Sequence, residues 1–385
     1  MAVASETGSF AVDAVDKISE ARSGLMKTAH GVFQTPAFAP VATAGSVKTL
    51  LFEEVRSLGA EIVLSNTYHL YLKPGVEVIR QAGGLHRFIN WEGPILTDSG
   101  GFQAYRLSEF FDYQEEGVAF RSHWDGSPHF FSPEKVLEIQ HVLGSDLIMP
   151  LDFCPPYPAD EALVARSVRI TTDWAKRSKG WWDSRERVSH WGQKQSLFGI
   201  VQGSTSPLWR KRSATELAEL EFDGYALGGL SLGETKEDTF AMVSVAVENL
   251  PADRMRYLMG MGTPLDLLSG IEQGIDLFDC ALPTRNARNG TVYNWAGKLV
   301  LKGAGFKDDF GPIDGRCGCP ACQNYTRAYI RHLFNAKEIT GMHLATLHNL
   351  WFYQELLGVA REKIRTGEFA AFKKQFMERY REEEA

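Results

Sequence analysis

Three carboxylates in this chain of 385 residues stand toward the ends of apolar runs, each followed by a turn. Asp98 lies in TDSGGFQ, Asp152 in LDFCPPYP and Asp279 in FDCALPTR. The last of these opens onto two cations, Arg285 and Arg288, in LFDCALPTRNARNG. Such an acid either closes an internal salt bridge with Arg285 or works on an anionic substrate. Two carboxylates flanking a glycosidic bond can divide one reaction, one attacking the anomeric carbon and the other handling the leaving group's proton. The third acid, with Gln202 of VQGS and the backbone of Gly228–Gly229, offers partners for the amide-like edge of a base or sugar. A metal-free barrel lyase is the competing chemistry. No lysine stands at these run ends, which counts against a Schiff base. No HxH near the first run counts against a metal-dependent amidohydrolase.

A second constellation is RCGCPACQ, with Cys317, Cys319 and Cys322, followed after 25 intervening residues by His348 in TLHNLWFYQEL. Three thiolates and one imidazole make a closed tetrahedral set for Zn²⁺, which leaves no open position for water and reads as structural. His343 competes with His348 for the fourth place, and His348 is preferred. Cys154 and Cys280 read as packing residues.

These residues need a scaffold, and the sequence supplies a repeated unit: an apolar run, a polar or Gly-rich turn, then an amphipathic stretch. Eight such runs occur, at 36–45, 61–70, 94–103, 146–155, 197–204, 224–233, 256–264 and 275–283. Continuously apolar runs suit parallel strands buried on both faces. The expected fold is an α/β (β/α)₈ TIM barrel, with a doubly wound sheet as the alternative. Polar or Gly-rich segments stand toward the C-terminal end of most runs: Asn66, Asp98, Asp152, Gln202, Gly228–Gly229, Met259–Gly262 and Asp279. In a barrel those ends meet on one face. The segment 117–131 reads as an inserted hairpin turning at DGS, and a helix follows at SPEKVLEIQHVLG. The expected organisation is a barrel catalytic domain over 1–304, a zinc-binding subdomain over 305–350 and a helical segment over 351–385 that packs on the barrel.

A hydrophobic content of 44% with 23% charged residues places the chain among ordinary globular proteins. No apolar run is long enough to span a membrane, and the N-terminus lacks the basic start and apolar stretch of a leader. Five cysteines, three of them clustered, suit a reducing compartment, so the expected location is cytoplasmic. The net charge of −7 excludes a uniformly basic surface but leaves room for a local basic patch against RNA. The basic runs at 174–187 and 208–213 read as solvated helix faces.

Taken together, NTYHL, TDSGGFQ, VQGS, ALGGLSLGE, YLMGMG, FDCALPTRNARNG and the CxCxxC…H cluster resemble the tRNA-guanine transglycosylases, from about residue 20 to about 375. The bacterial single-chain branch is the better fit, with no appended RNA-binding domain of the archaeal type. The resemblance implies exchange of guanine at the wobble position of tRNAs with GUN anticodons (Asp, Asn, His, Tyr) for 7-aminomethyl-7-deazaguanine (preQ1), in queuosine biosynthesis. Queuine is the alternative base, and a nucleoside or glycoside hydrolase on the same barrel is the alternative reaction.

It also implies roles. Asp279 is the nucleophile and Asp98 the general acid/base. Asp152, Gln202 and the Gly229 N–H hold the base edge, and Phe102 and Met259 sandwich the ring. The Leu230 carbonyl and Glu234 meet the aminomethyl group, and Arg285 and Arg288 grip the anticodon loop. Cys317, Cys319, Cys322 and His348 hold structural zinc. Members of the family are usually homodimers. Three positions depart from the pattern or bear on the choice of base. Phe153 replaces a common Glu, Phe102 a common Tyr, and Leu232 stands where queuine-using enzymes have Gly. Leu232, with Cys154, favours preQ1.

Overall fold

The computed structural model describes residues 6–380. Residues 1–5 of the N-terminus read above and 381–385 of the C-terminal segment lie outside them. Eight parallel strands follow the eight apolar runs: Ala37–Pro40, Val63–Asn66, Ile95–Asp98, Leu147–Ile148, Ser196–Val201, Gly224–Leu227, Met255–Leu258 and Leu277–Cys280. The eighth strand pairs with the first in parallel register, Leu277 against Ala37 through Cys280 against Pro40. The first and second strands meet through the parallel bridge Val41–Leu64, and Ala42 N–H donates to the Leu64 carbonyl at 2.6 Å. The sheet therefore closes into a barrel, and the open doubly wound alternative is set aside.

Alternation along the strands divides the core in two. Ala37, Ala39, Leu64, Leu96, Leu147, Phe198, Ile200, Ala226, Tyr257 and Leu277 fill the interior. Phe38, Val63, Ile95, Leu197, Val201, Leu258 and Phe278 face outward against the helices. Helix starts carry side-chain caps. Asp160 accepts from Leu163 N at 2.7 Å, Ser132 from Lys135 N at 3.2 Å, and Thr263 from Asp266 N at 3.2 Å ahead of Pro264. Each satisfies an N–H that a helix start leaves unpaired.

Two departures from the sequence reading concern short antiparallel sheets. The insert has three strands rather than two: Phe111–Tyr113, Val118–Arg121 and Pro128–Phe131. Ser9–Val15, Arg22–Thr28 and Gly31–Thr35 form a sheet that the sequence reading did not anticipate. This sheet plugs the N-terminal end of the barrel with Met26 and Phe33. It is fastened there by Asp146, whose carboxylate accepts from the main-chain N–H of His30 at 3.1 Å and of Ile95 at 2.9 Å.

Beyond the barrel, the hairpin Thr291–Asn294/Gly297–Val300 leads to helices Pro320–Asn324, Arg327–Asn335, Ile339–Thr366 and Phe369–Arg379. The long helix Ile339–Thr366 runs unbroken through residue 350 and lies along the barrel. Tyr353 donates to the Gly262 carbonyl at 2.7 Å and Arg361 to the Pro36 carbonyl at 2.8 Å. No helix among the described residues is long and apolar enough to cross a membrane.

Candidate active site

Strand parity sets the site. Counting two residues on from the inward-facing Leu64, Leu96, Ile200, Ala226, Tyr257 and Leu277 gives Asn66, Asp98, Gln202, Gly228, Met259 and Asp279. All therefore continue the interior rows at the C-terminal mouth. There a cavity of about 220 Å³ is lined by Asp98, Asp152 and Asp279 together with Phe102, Gly229, Leu230 and Met259. Gln202 stands behind this wall and donates to Asp152 at 2.8 Å. Asp152 follows the shortest strand, Leu147–Ile148, on an irregular segment. Its second oxygen accepts from Ser99 at 3.0 Å.

Each acid has its own surroundings. Asp98 is buried, with Asn66 Nδ2 at 2.6 Å from one oxygen and the Thr67 N–H at 3.1 Å from the other. Burial pushes its pKa up to about 7, the hydrogen bonds of Thr67 and Asn66 pull it back, and the charges of Asp279 and Asp152 add to the rise. A carboxyl in that range can both give and take a proton near neutrality. Asp279 is the most open of the three, yet desolvation still raises its pKa. Tyr257 donates to it at 2.5 Å and the Gly260 N–H at 2.7 Å, both favouring the carboxylate. Burial also raises the pKa of Asp152.

Tyr257 was missed in the sequence reading, although it stands two residues before Met259 in YLMGMG. Its parity was the available signal. The salt-bridge reading of Asp279 fails among the described residues. One carboxylate oxygen takes Tyr257 and Gly260, and no ion pair joins Asp279 to Arg285. The two arginines lie on helix Leu282–Arg288, which leaves the eighth strand directly. Arg285 is exposed, and Arg288 is half-buried and donates to the Thr284 carbonyl at 2.8 Å.

Two glycines permit the close approaches. Gly100 has φ of +77°, and a Cβ there would lie 2.6 Å from Tyr68 N. Gly229 has φ of +66°, and a Cβ would fall 2.3 Å from Gln202 Oε1. Neither position admits a side chain. Leu232 and Cys154 line the cavity. Glu234 does not. Its carboxylate instead accepts from the N–H groups of Ser231 and Leu232, the latter at 2.9 Å, and from Thr239 at 2.8 Å, bracing the loop that carries Leu230. Phe153 also turns away from the cavity. It stacks on Tyr113 of the inserted sheet at 3.5 Å between centroids and 19° between planes.

The Cys–His constellation assembles as its spacing implied. Cys317, Cys319, Cys322 and His348 are buried, with ligand atoms all within 4.8 Å of one another. His348 Nδ1 lies 3.6, 3.6 and 3.3 Å from the three sulfurs. Tetrahedral zinc with Zn–S of about 2.3 Å and Zn–N of about 2.0–2.1 Å sets sulfur and nitrogen about 3.6 Å apart, so the donor set fits the ion. Nε2 of His348 is 2.6 Å from the Tyr293 carbonyl, which fixes its proton there and leaves Nδ1 for metal. His343 is engaged elsewhere, with Thr49 O at 2.8 Å and Glu54 at 3.1 Å. The next residue, Asn349, donates to the Pro283 carbonyl at 2.9 Å and accepts from Tyr293 N at 3.0 Å. Through Asn349 the long helix that carries His348 thus braces the helix that bears Arg285 and Arg288.

A closed parallel barrel with acids gathered at its C-terminal mouth, cations beside them and a buried Cys₃His centre defines a barrel enzyme working on an anionic substrate. Comparison with known proteins gives the family. The model described as Queuine tRNA-ribosyltransferase matches residues 16–382. The protein of that name from Thermoanaerobacter sp. (strain X514) is 52% identical over 365 residues, 95% of this chain and 96% of its own. The one from Pelotomaculum thermopropionicum is 51% identical over 372 residues, 97% and 98% of the two chains. The one from Nitratidesulfovibrio vulgaris is 49% identical over 376 residues, 98% of each. The chain belongs to the queuine tRNA-ribosyltransferase family, the tRNA-guanine transglycosylases. These are pentosyltransferases that act on tRNA and guanine bases.

Proposed function

We propose that this enzyme replaces guanine at the wobble position of tRNAs with GUN anticodons (Asp, Asn, His, Tyr) by preQ1, through a covalent tRNA–enzyme intermediate, in queuosine biosynthesis. The observation that carries the reading is the convergence of Asp98, Asp152 and Asp279 on one cavity beside the arginine helix.

In this reading an Asp279 oxygen attacks C1′ of the ribose. The bond from C1′ to the base breaks, and Asp98 gives its proton to the leaving guanine. The incoming base then returns a proton to Asp98 and attacks C1′, and the Asp279 ester bond breaks. Two displacements at one carbon exchange the base without hydrolysis if water is kept out. The raised pKa of Asp98 supports its double duty. Tyr257 and the Gly260 N–H favour the carboxylate form of Asp279 against desolvation and orient it.

Asp152 and Gln202 meet the donor and carbonyl groups of the base edge with the Gly229 N–H, and Phe102 and Met259 flank the ring. The Leu230 carbonyl meets the aminomethyl ammonium, and Glu234 braces the loop that carries it. Arg285 and Arg288 take phosphates of a splayed anticodon loop. The relatives' name specifies queuine, which keeps that base as the second reading. Leu232 and Cys154 on the cavity wall favour the smaller preQ1. The same reading includes structural Zn²⁺ on Cys317, Cys319, Cys322 and His348, a zinc-binding unit over 305–350, a homodimer and a cytoplasmic setting.

The test is base exchange. The protein is incubated with unmodified GUN-anticodon tRNA and labelled guanine. Incorporation that a wobble-base change eliminates is expected, with preQ1 displacing label at lower concentration than queuine. Free base released without incorporation would make the protein a hydrolase. Queuine displacing label as well as preQ1 would overturn the choice of base.

A further inference from the structure

Arg210, on helix Pro207–Ala218, is fully buried, and no carboxylate among the described residues lies within 4.0 Å of its guanidinium. Burying a cation without a counter-charge costs several kcal/mol, so its partners must repay the desolvation. Those partners are three main-chain carbonyls at the C-terminal ends of the fifth and sixth strands. Nη1 donates to Val201 O at 3.0 Å and to Gly228 O at 2.8 Å, and Nη2 to Ser204 O at 2.7 Å. Gly228 is the critical one. In a trans peptide the C=O and the following N–H point in opposite directions. Drawing the Gly228 oxygen down to Arg210 therefore turns the Gly229 N–H the other way, toward the cavity that Gly229 lines. Glycine at 228 and 229 leaves this peptide free to rotate, so its orientation needs an external hold.

We propose that Arg210 is a positioning residue for base recognition: it fixes the Gly228–Gly229 peptide so that the Gly229 N–H stands ready for the carbonyl oxygen of the base. This rests on the base site described under Proposed function. Arg210 touches no reacting atom, and it acts on the base through the hydrogen bond at the oxygen.

The experiment compares guanine with 2-aminopurine, which lacks that oxygen, as inhibitors of labelled-base incorporation. It uses the full chain with zinc, at saturating tRNA, in wild type, Arg210→Met and Arg210→Lys. Wild type should prefer guanine. In Arg210→Met the guanine constant should rise about tenfold, the scale of one lost hydrogen bond, while the 2-aminopurine constant moves less than about threefold and KM for tRNA stays put. Arg210→Lys keeps the charge and can reach one carbonyl, so it should fall between, and it carries the test if Arg210→Met does not fold. Guanine and 2-aminopurine weakening together, or the guanine preference surviving in both variants, would overturn the proposal and return Arg210 to a structural role. A wild type with no preference for guanine over 2-aminopurine would overturn the base-site reading and this proposal with it.

Discussion

Replacing Asn66 by Ala should move the pH dependence of adduct formation alkaline by roughly one to two units. Asn66 Nδ2 donates to Asp98 at 2.6 Å and so favours the ionised carboxylate. A hydrogen bond to a charged group contributes roughly 1.5–3 kcal/mol, and one pKa unit is about 1.4 kcal/mol. Removing it should carry Asp98 from about 7 to roughly 8–9, with the Thr67 N–H still in place. Adduct formation uses Asp98 as an acid. The rate at subsaturating tRNA, which reports the free enzyme, should therefore decline through about 7 in wild type and only above it in the variant.

The assay is the yield of tRNA–protein adduct against time on denaturing gels, across a series of buffers. Asn66 Oδ1 also caps His69 N at 2.9 Å, so the variant should lose about 1 kcal/mol of stability as well. That loss lowers the melting temperature at every pH and does not displace a titration limb. An unmoved limb, or one displaced toward acid, would refute both the coupling and the role of Asp98 as the acid.

Asp98→Asn should abolish exchange yet raise the melting temperature at pH above about 7. The folded pKa of Asp98 lies above its unfolded value of 3.8, so its contribution to stability is present below 3.8 and lost as pH rises through about 7. The asparagine escapes a penalty on the order of 4 kcal/mol. Equal melting temperatures for the two proteins at high pH would contradict this. Tyr257→Phe removes the side-chain donor to Asp279 and should raise that acid's pKa, so the rate of adduct formation relative to wild type falls most at acid pH and approaches the wild-type rate as pH rises. A loss independent of pH would assign the hydroxyl another task. Cys319→Ala should cost the metal and several kcal/mol of stability, read by metal analysis and thermal unfolding. Full zinc stoichiometry in that variant would remove Cys319 from the ligand set. Arg288→Ala should weaken tRNA binding and flatten its dependence on salt by about one phosphate contact. An affinity unchanged across salt would leave Arg288 with only its bond to Thr284.

The parallel barrel and the Cys₃His centre were legible because each depends on local pattern or on donor chemistry. Eight apolar runs specify strands buried on both faces, and three closely spaced cysteines with a histidine on a helix suffice to define a candidate metal site. The N-terminal sheet escaped notice because its strands mix polar and apolar residues. Its place is set by distant partners, Asp146 among them. Asp98 and Asp279 could be placed from parity, since a strand carries every second residue to the same face.

Asp152 could not. The chain leaves its two-residue strand irregularly, and Ser99 and Gln202 decide where the carboxylate points. Phe153 likewise stands next to Asp152 in the chain, and only its stack on Tyr113 places it outside the cavity. The sequence by itself determined the scaffold, the metal donors and the identities of the acids, because periodicity and ligand chemistry are properties of residue type. Only the tertiary structure decided which acid is buried, which donors it meets and that Arg210 holds the glycine peptide. Desolvation and hydrogen bonding belong to groups far apart in the chain, brought together when the barrel closes.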